Sequence, residues 1–162
     1  MERPALAHRA EDRLRKGETT MRFMMLMIPR GYENAAPGTM PDAKAVEAMM
    51  KYNEELQRAG VLLALDGLHP PSAGARVTFE GGSPKVTDGP FPEAKEVLGG
   101  YWMIQVRSRD EAIEWARRCP AGPNEIIEVR QVQEMEEFPP DVQAAVAGFE
   151  EKLQASAKRS AS

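Results

Sequence analysis

The stretch VTDGPFPEAKEVLGGYWMIQV, Val86–Val106, joins a tight turn to an apolar strand. The Asp88-Gly89-Pro90 sequence predicts a chain reversal, because Asp can bond the backbone ahead of it, Gly can adopt positive φ and Pro fixes its own φ. The run Gly100–Val106 has strand length and is apolar at both odd and even positions. We therefore expect both faces of this strand to be buried.

Upstream of this stretch, the pattern predicts a strand, a helix and further short strands. Phe23–Ile28 is an unbroken apolar run of strand length. Thr39 with Asp42 resembles a helix-start capping pattern, and Gly60 is a suitable helix end. The apolar face of this helix is expected at Val46, Met49, Met50 and Leu56. The next predicted strands are Val61–Leu65, Arg76–Phe79 and Lys85–Thr87.

Downstream, a second helix and a closing strand are predicted. Ser108 with Glu111 repeats the capping pattern, and Pro120 ends the helix, whose buried face is expected to include Trp115. The closing strand is Glu125–Val132. After Pro140 the apolar residues recur at helical spacing, which predicts one terminal helix: Val142, Val146, Phe149 and Leu153.

This order of elements predicts an α+β domain with the split βαβ pattern of ferredoxin-like folds and an extra C-terminal helix. The domain is expected to span residues 21–135, and residues 136–162 to form the helix and a frayed tail. Residues 1–20, which include His8, are rich in charge and are expected to be a disordered extension. Met21 begins the first strand and is a second possible start of translation.

The apolar strands also bear on assembly. Two helices can cover only one face of the predicted sheet, so a second copy of the sheet would cover the other in a homodimer. The ten methionines could fill irregular gaps in such an interface. Methionine-rich packing within one chain is the alternative.

Composition excludes several classes of protein. A net charge of −4 gives no general attraction to nucleic acid or anionic membranes. One cysteine, Cys119, allows no internal disulfide, and with His8 and His69 it supplies too few ligands for a structural zinc site. No apolar run approaches the roughly 18 residues of a membrane span. We expect a cytoplasmic protein without a metal or cofactor.

Several motifs together resemble the YCII-related family, whose hallmark is a DGPF motif. They are TDGPF at Thr87–Phe91 with its EAKEVLGGYWMI continuation, MRFMMLMI from Met21, DEAIEWARRCP before the closing strand, and IEVRQV within it. The resemblance covers about Met21–Val132. It implies a dimeric, ferredoxin-like α+β fold related to the dimeric α/β-barrel enzymes that include muconolactone isomerases. Some members are genomic neighbours of extracytoplasmic-function sigma factors.

The resemblance also implies candidate catalytic residues, because members of the wider family have a His-Asp pair. Asp88 matches the aspartate, whereas Asp66 stands near the position of the histidine and the nearest histidine is His69. A carboxylate beside an imidazole could give an acid or base usable near neutral pH. The structural alternatives are that Asp88 only forms a turn, that His69 faces solvent and that Asp66 belongs to a turn or to the pocket rim.

The segment after the motif provides candidate substrate-binding residues. Glu93 could act as an acid-base group and Lys95 could meet an anionic substrate, or both could belong with Glu96 to a solvated charge run. Tyr101 and Trp102 point to opposite faces of their strand, and the hydroxyl makes Tyr101 the candidate polar contact. Gly99-Gly100 would permit close backbone approach or a bulge.

Two functions remain open from the sequence. One is a cofactor-free enzyme of the isomerase or lyase type that transfers protons on a small molecule. The other is a non-catalytic dimeric module that binds a ligand and regulates transcription. Both require a small-molecule pocket, and only the enzyme requires the acid-base groups to converge in it.

Overall fold

The computed structural model describes Gly17 and residues 19–160, without the side chains of residues 150, 158 and 160. Most of the predicted disordered extension, including His8, therefore lies outside the described residues. The chain forms two compact units that divide between Gln131 and Val132.

The first unit contains six strands and two α-helices among its described residues. In chain order they are β1 (Met21–Ile28), α1 (Ala43–Arg58), β2 (Leu62–Gly67), β3 (Ala75–Glu80), β4 (Ser83–Asp88), β5 (Gly100–Val106), α2 (Arg109–Arg117) and β6 (Ile126–Gln131). Short 3-10 helices lie at Tyr32–Asn34 and Pro71–Ala73.

Four of the strands form one antiparallel sheet in the order β2-β5-β1-β6. Strands β3 and β4 form a separate two-stranded hairpin. The predicted α+β class is confirmed, and the sheet order is consistent with a ferredoxin-like fold. Strand β5 has the predicted bounds and lies between β1 and β2.

One face of the four-stranded sheet forms the core with α1 and α2. Residues of β5 alternate between buried and half-buried, so Trp102 belongs to the core and Tyr101 to the opposite face, as predicted. Phe23, Met25, Ile104 and Val106 are buried in the core with the helical residues Tyr52, Leu56, Ala112 and Trp115. The opposite face is half-buried at Met24, Leu26, Tyr101 and Met103. Among the described residues, burial is therefore complete on one face of these strands only.

The polar groups in this core have partners. The Trp102 indole N–H donates to Asn53 Oδ1 at 2.8 Å, and the Tyr52 hydroxyl donates to the Trp115 carbonyl at 2.7 Å. The Tyr52 and Trp102 rings meet edge to face at 5.8 Å. Burial raises the pKa of the Tyr52 hydroxyl above its ordinary value.

The first residues of α1 and α2 can be compared with the predicted capping patterns. Ser108 caps α2 by accepting from the Glu111 N–H at 3.1 Å, as its pattern predicts. In α1, however, Asp42 is the cap and accepts from the Ala45 N–H at 3.0 Å. Thr39 instead donates to the Ala36 carbonyl at 2.6 Å. The predicted role of Thr39 as the helix cap was therefore wrong.

The second unit contains a 3-10 helix at Met135–Glu137, α3 (Pro140–Val146) and α4 (Phe149–Ser160). The predicted C-terminal helix is present but is divided into two helices, because Gly148 lies between α3 and α4 at φ 85°. This left-handed conformation favours glycine and interrupts helical hydrogen bonding.

Cys119 lies just after α2 and is half-buried. Burial, with a smaller contribution from the negative charge of Glu125, raises the pKa of this thiol from 9.0 to about 11. Since only the thiolate reacts, we expect alkylation by iodoacetamide at pH 8 to be roughly 100-fold slower than in the denatured chain. The rate should rise with a midpoint near pH 11. Equal rates in the native and denatured protein would contradict this expectation.

Candidate functional site

The turn after β4 crosses closely over the 3-10 helix Pro71–Ala73. The Gly89 N–H donates to the Gly74 carbonyl at 2.8 Å. A Cβ atom on Gly89 would lie 1.7 Å from the Pro71 carbonyl oxygen, so no side chain fits there. The expectation of positive φ at Gly89 was wrong, since this glycine does not adopt it. Glycine is required at position 89 because the backbone of Pro71 lies too close for any side chain.

The next residues of the motif attach it to the hairpin. Phe91 is buried, and the guanidinium of Arg76 on β3 lies 4.1 Å from the centre of its ring. Arg76 also forms an ion pair with Glu93 at 3.8 Å. Both side chains of this ion pair are largely exposed, so its contribution to stability is small. Glu93 is thereby placed beside the hairpin.

His69 and Asp88 are both exposed. Within the described part of the chain, neither side chain has a hydrogen bond or ion pair, so the structure shows no bond between them and no turn bond from the Asp88 carboxylate. Their joint catalytic role stays a prediction.

Asp66 and Tyr101, by contrast, are brought together by the sheet. They are directly opposite each other on the neighbouring strands β2 and β5. The Tyr101 hydroxyl donates to Asp66 Oδ2 at 2.7 Å, the short distance typical of an O–H bond to a carboxylate. Next to them Gly67 pairs with Gly100, and a Cβ on Gly100 would lie 2.8 Å from the Asp66 carbonyl oxygen. The backbones of β2 and β5 therefore approach closely at Gly100, as predicted for the glycine pair. This approach fixes the position of β2, the strand that holds Asp66.

A cavity of about 350 Å³ lies at the end of β1. It is lined by Ile28, Pro29, Arg30, Gly31, Glu33, Lys95, Glu96, Asn124 and Ile126. Of the predicted substrate-binding residues, only Lys95 lines this cavity, together with its neighbour Glu96. Sequence reasoning missed Arg30, Glu33 and Asn124. The available signal was that charged or polar residues follow the end of β1 and precede the start of β6, and these two strands are paired at Ile28 and Ile126.

Three contacts hold the loop that follows β1 and lines this cavity. The Tyr32 hydroxyl donates to the Leu68 carbonyl at 2.6 Å, and burial raises the pKa of this hydroxyl. Gly99 packs beneath Pro29, whose ring carbon Cγ would lie 2.7 Å from a Cβ at this position. The Gly99 N–H also donates to the Met27 carbonyl at 2.8 Å. The glycine pair therefore supports both the cavity wall and the strand that holds Asp66.

Two further observations concern the described residues as a whole. No group of three or more His, Cys, Asp or Glu side chains among them could hold a metal ion. None of the described helices is both long enough and apolar enough to cross a membrane.

Comparison with known proteins identifies the family. The model of the YCII-related domain matches residues 21–136. A protein of Rhizobium meliloti (strain 1021), whose name states only that it is uncharacterized, is 41% identical over 78 residues. The match covers 48% of this chain and 58% of that relative, so the chain spans a little over half of the relative's length. The matched domain includes the whole sheet and the DGPF turn, and the chain belongs to the YCII-related domain family.

Proposed function

We propose that this protein is a small-molecule enzyme that transfers protons without a cofactor, with Asp66 as the base. The observation that supports this function is the 2.7 Å bond from the Tyr101 hydroxyl to Asp66 Oδ2. Asp66 is near the position of the family histidine, so a carboxylate would take over its role. The bond from Tyr101 occupies one carboxylate oxygen and orients the other.

The proposed step is a proton transfer at a carbon next to a carbonyl group. The substrate would carry a C=C bond next to the carbon that loses the proton. The free oxygen of Asp66 would take the proton, and the C–H bonding pair would form a dienolate. The protonated carboxyl would then return the proton to the far carbon of the dienolate, so that the C=C bond shifts by one position, which is an isomerisation. The Tyr101 hydroxyl would stabilise the carboxylate before the transfer and keep its orientation during the transfer.

We also propose that the half-buried sheet face forms the interface of a homodimer. Asp66 and Tyr101 share this face with Met24, Leu26 and Met103, on β1, β2 and β5. A second sheet packed against it would bury these apolar side chains. The second sheet would also exclude water from Asp66 and Tyr101. Exclusion of water strengthens the electrostatic interactions of a carboxylate with its substrate.

Exchange of substrate protons with solvent tests the catalytic proposal. Metabolite mixtures would be screened against the whole protein by thermal shift, and each ligand found would be incubated with it in D₂O. We expect mass spectrometry to detect deuterium in the ligand. In Asp66→Asn, incorporation should fall by at least about 100-fold, because general-base catalysis contributes on this scale. Tyr101→Phe should reduce it by about tenfold, the effect of roughly one charge-assisted hydrogen bond.

Glu80→Gln provides the matched control, because it removes an exposed carboxylate at the end of the hairpin. Its incorporation rate should equal that of the parent. Full incorporation by Asp66→Asn would reject Asp66 as the base. A ligand whose affinity falls in Asp66→Asn, but which gains no deuterium in the parent, would reject the enzyme and support the non-catalytic ligand-binding module.

A further inference from the structure

The cavity at the end of β1 carries two positive and two negative side chains. Arg30 and Lys95 are the cations, and Glu33 and Glu96 are the anions. Within the described part of the chain, none of these four side chains has a hydrogen bond or an ion-pair partner. These charged groups line one concave surface without forming ion pairs with one another. They are therefore available to bind a ligand.

Glu33 supplies an independent observation. Its Oε2 atom is buried and has no hydrogen-bond partner. Buried polar atoms nearly always have partners, and leaving one unpaired costs about 1–3 kcal/mol. One oxygen of this carboxylate therefore lacks a compensating donor, and Glu33 is one of the residues that line the cavity.

The chemistry of the missing donor follows from the other lining residues. A metal ion is a poor candidate, because no group of three or more His, Cys, Asp or Glu among the described residues could hold one. An organic ammonium needs only carboxylates, which Glu33 and Glu96 provide. Arg30 and Lys95 would meet an anion, and the planar guanidinium of Arg30 suits a carboxylate. The apolar part of the cavity wall is formed by Ile28, Pro29 and Ile126.

We propose that this cavity binds a small zwitterion, an α-amino acid with an apolar side chain. Its ammonium group would lie against Glu33 and Glu96, its carboxylate against Arg30 and Lys95, and its side chain along Ile28 and Ile126. Asp66 and Tyr101 do not line this cavity, and the proposed binding does not depend on their activity.

Three related compounds test the requirement for both charges. L-Phenylalanine carries both, 3-phenylpropionate lacks the ammonium group and 2-phenylethylamine lacks the carboxylate. Each would be titrated into the whole ¹⁵N-labelled protein and followed by NMR. We expect L-phenylalanine to bind at least about tenfold more tightly than either analogue, with the largest shifts at the Gly31, Asn124 and Ile126 amides. Equal affinity for 3-phenylpropionate, or shifts elsewhere, would overturn the proposal.

Two charge-removing variants should give opposite patterns. Glu33→Gln should weaken L-phenylalanine and 2-phenylethylamine by about tenfold and leave 3-phenylpropionate unchanged. Lys95→Gln should weaken L-phenylalanine and 3-phenylpropionate and leave 2-phenylethylamine unchanged. Glu47→Gln, at an exposed ion pair with Lys51 on α1, is the control and should change none of them.

The stability of the unliganded protein distinguishes a binding role of Glu33 from a structural one. If the Glu33 carboxylate is kept for a ligand, removing its charge should not lower the unfolding temperature of the unliganded protein. Unchanged affinity for L-phenylalanine in Glu33→Gln, or a lowered unfolding temperature with unchanged relative affinities for the three compounds, would assign Glu33 a structural role and reject the site.

Discussion

Gly89→Ala is expected to lower the free energy of unfolding by about 3 kcal/mol or more, at or above the upper end of ordinary overpacking. The new Cβ would lie 1.7 Å from the Pro71 carbonyl oxygen and 2.6 Å from its carbon. Both are backbone atoms, so no side chain can rotate away. The clash must separate the turn from Pro71–Ala73 and break the bond from the Gly89 N–H to the Gly74 carbonyl. Urea unfolding followed by circular dichroism measures the loss.

Gly67→Ala is the matched control for this substitution. A Cβ on Gly67 would have nothing within 4 Å, and the residue does not adopt positive φ. Its free energy of unfolding should therefore stay within about 1 kcal/mol of the parent. If both variants were equally stable, the close crossing of the DGPF turn over Pro71–Ala73 would be refuted.

Leu26→Arg is expected to convert the proposed homodimer to a monomer. Leu26 is in the middle of β1 on the half-buried face, where it pairs with Tyr101 and with Glu128. Two-fold symmetry would place two new charges in one interface, and burying each costs several kcal/mol. The dimer dissociation constant should rise by at least about 1,000-fold. Light scattering at low micromolar concentration should give a dimer for the parent and a monomer for the variant.

Val46→Arg adds the same charge at an exposed position of α1, the helix that packs on the other face of the sheet. It should stay dimeric. Circular dichroism would check that Leu26→Arg keeps its fold. A monomeric parent, or a folded Leu26→Arg variant that still dimerises, would refute an interface on this face.

Local signals in the sequence predicted much of the fold. The apolar run Gly100–Val106 is a strand with those bounds, and the Ser108 pattern marks the start of α2. These features could be predicted because each depends on residues within a few positions of one another. Gly148 shows where such signals compete, since the apolar spacing continued across it while its backbone conformation ended the helix.

The candidate site was predictable only in part. Asp66, Lys95 and Tyr101 were identified as candidate substrate-binding residues, but the sequence could not show that Tyr101 bonds Asp66 while Lys95 lines the cavity at the end of β1. Glu93 was grouped with Lys95 by proximity in sequence, yet it pairs with Arg76 on the hairpin. Strand register and loop packing join residues far apart in the chain, and no local pattern encodes them.

The amino-acid sequence by itself determined the α+β class, most strand positions and the apolar character of both faces of β1 and β5, because periodicity and turn chemistry are local properties. The tertiary structure alone decided which face became the core, why Gly89 must be glycine and which charges surround the cavity. Those features arise from distances between segments: the crossing of Gly89 over Pro71, the packing of Gly99 under Pro29 and the pairing of β1 with β6.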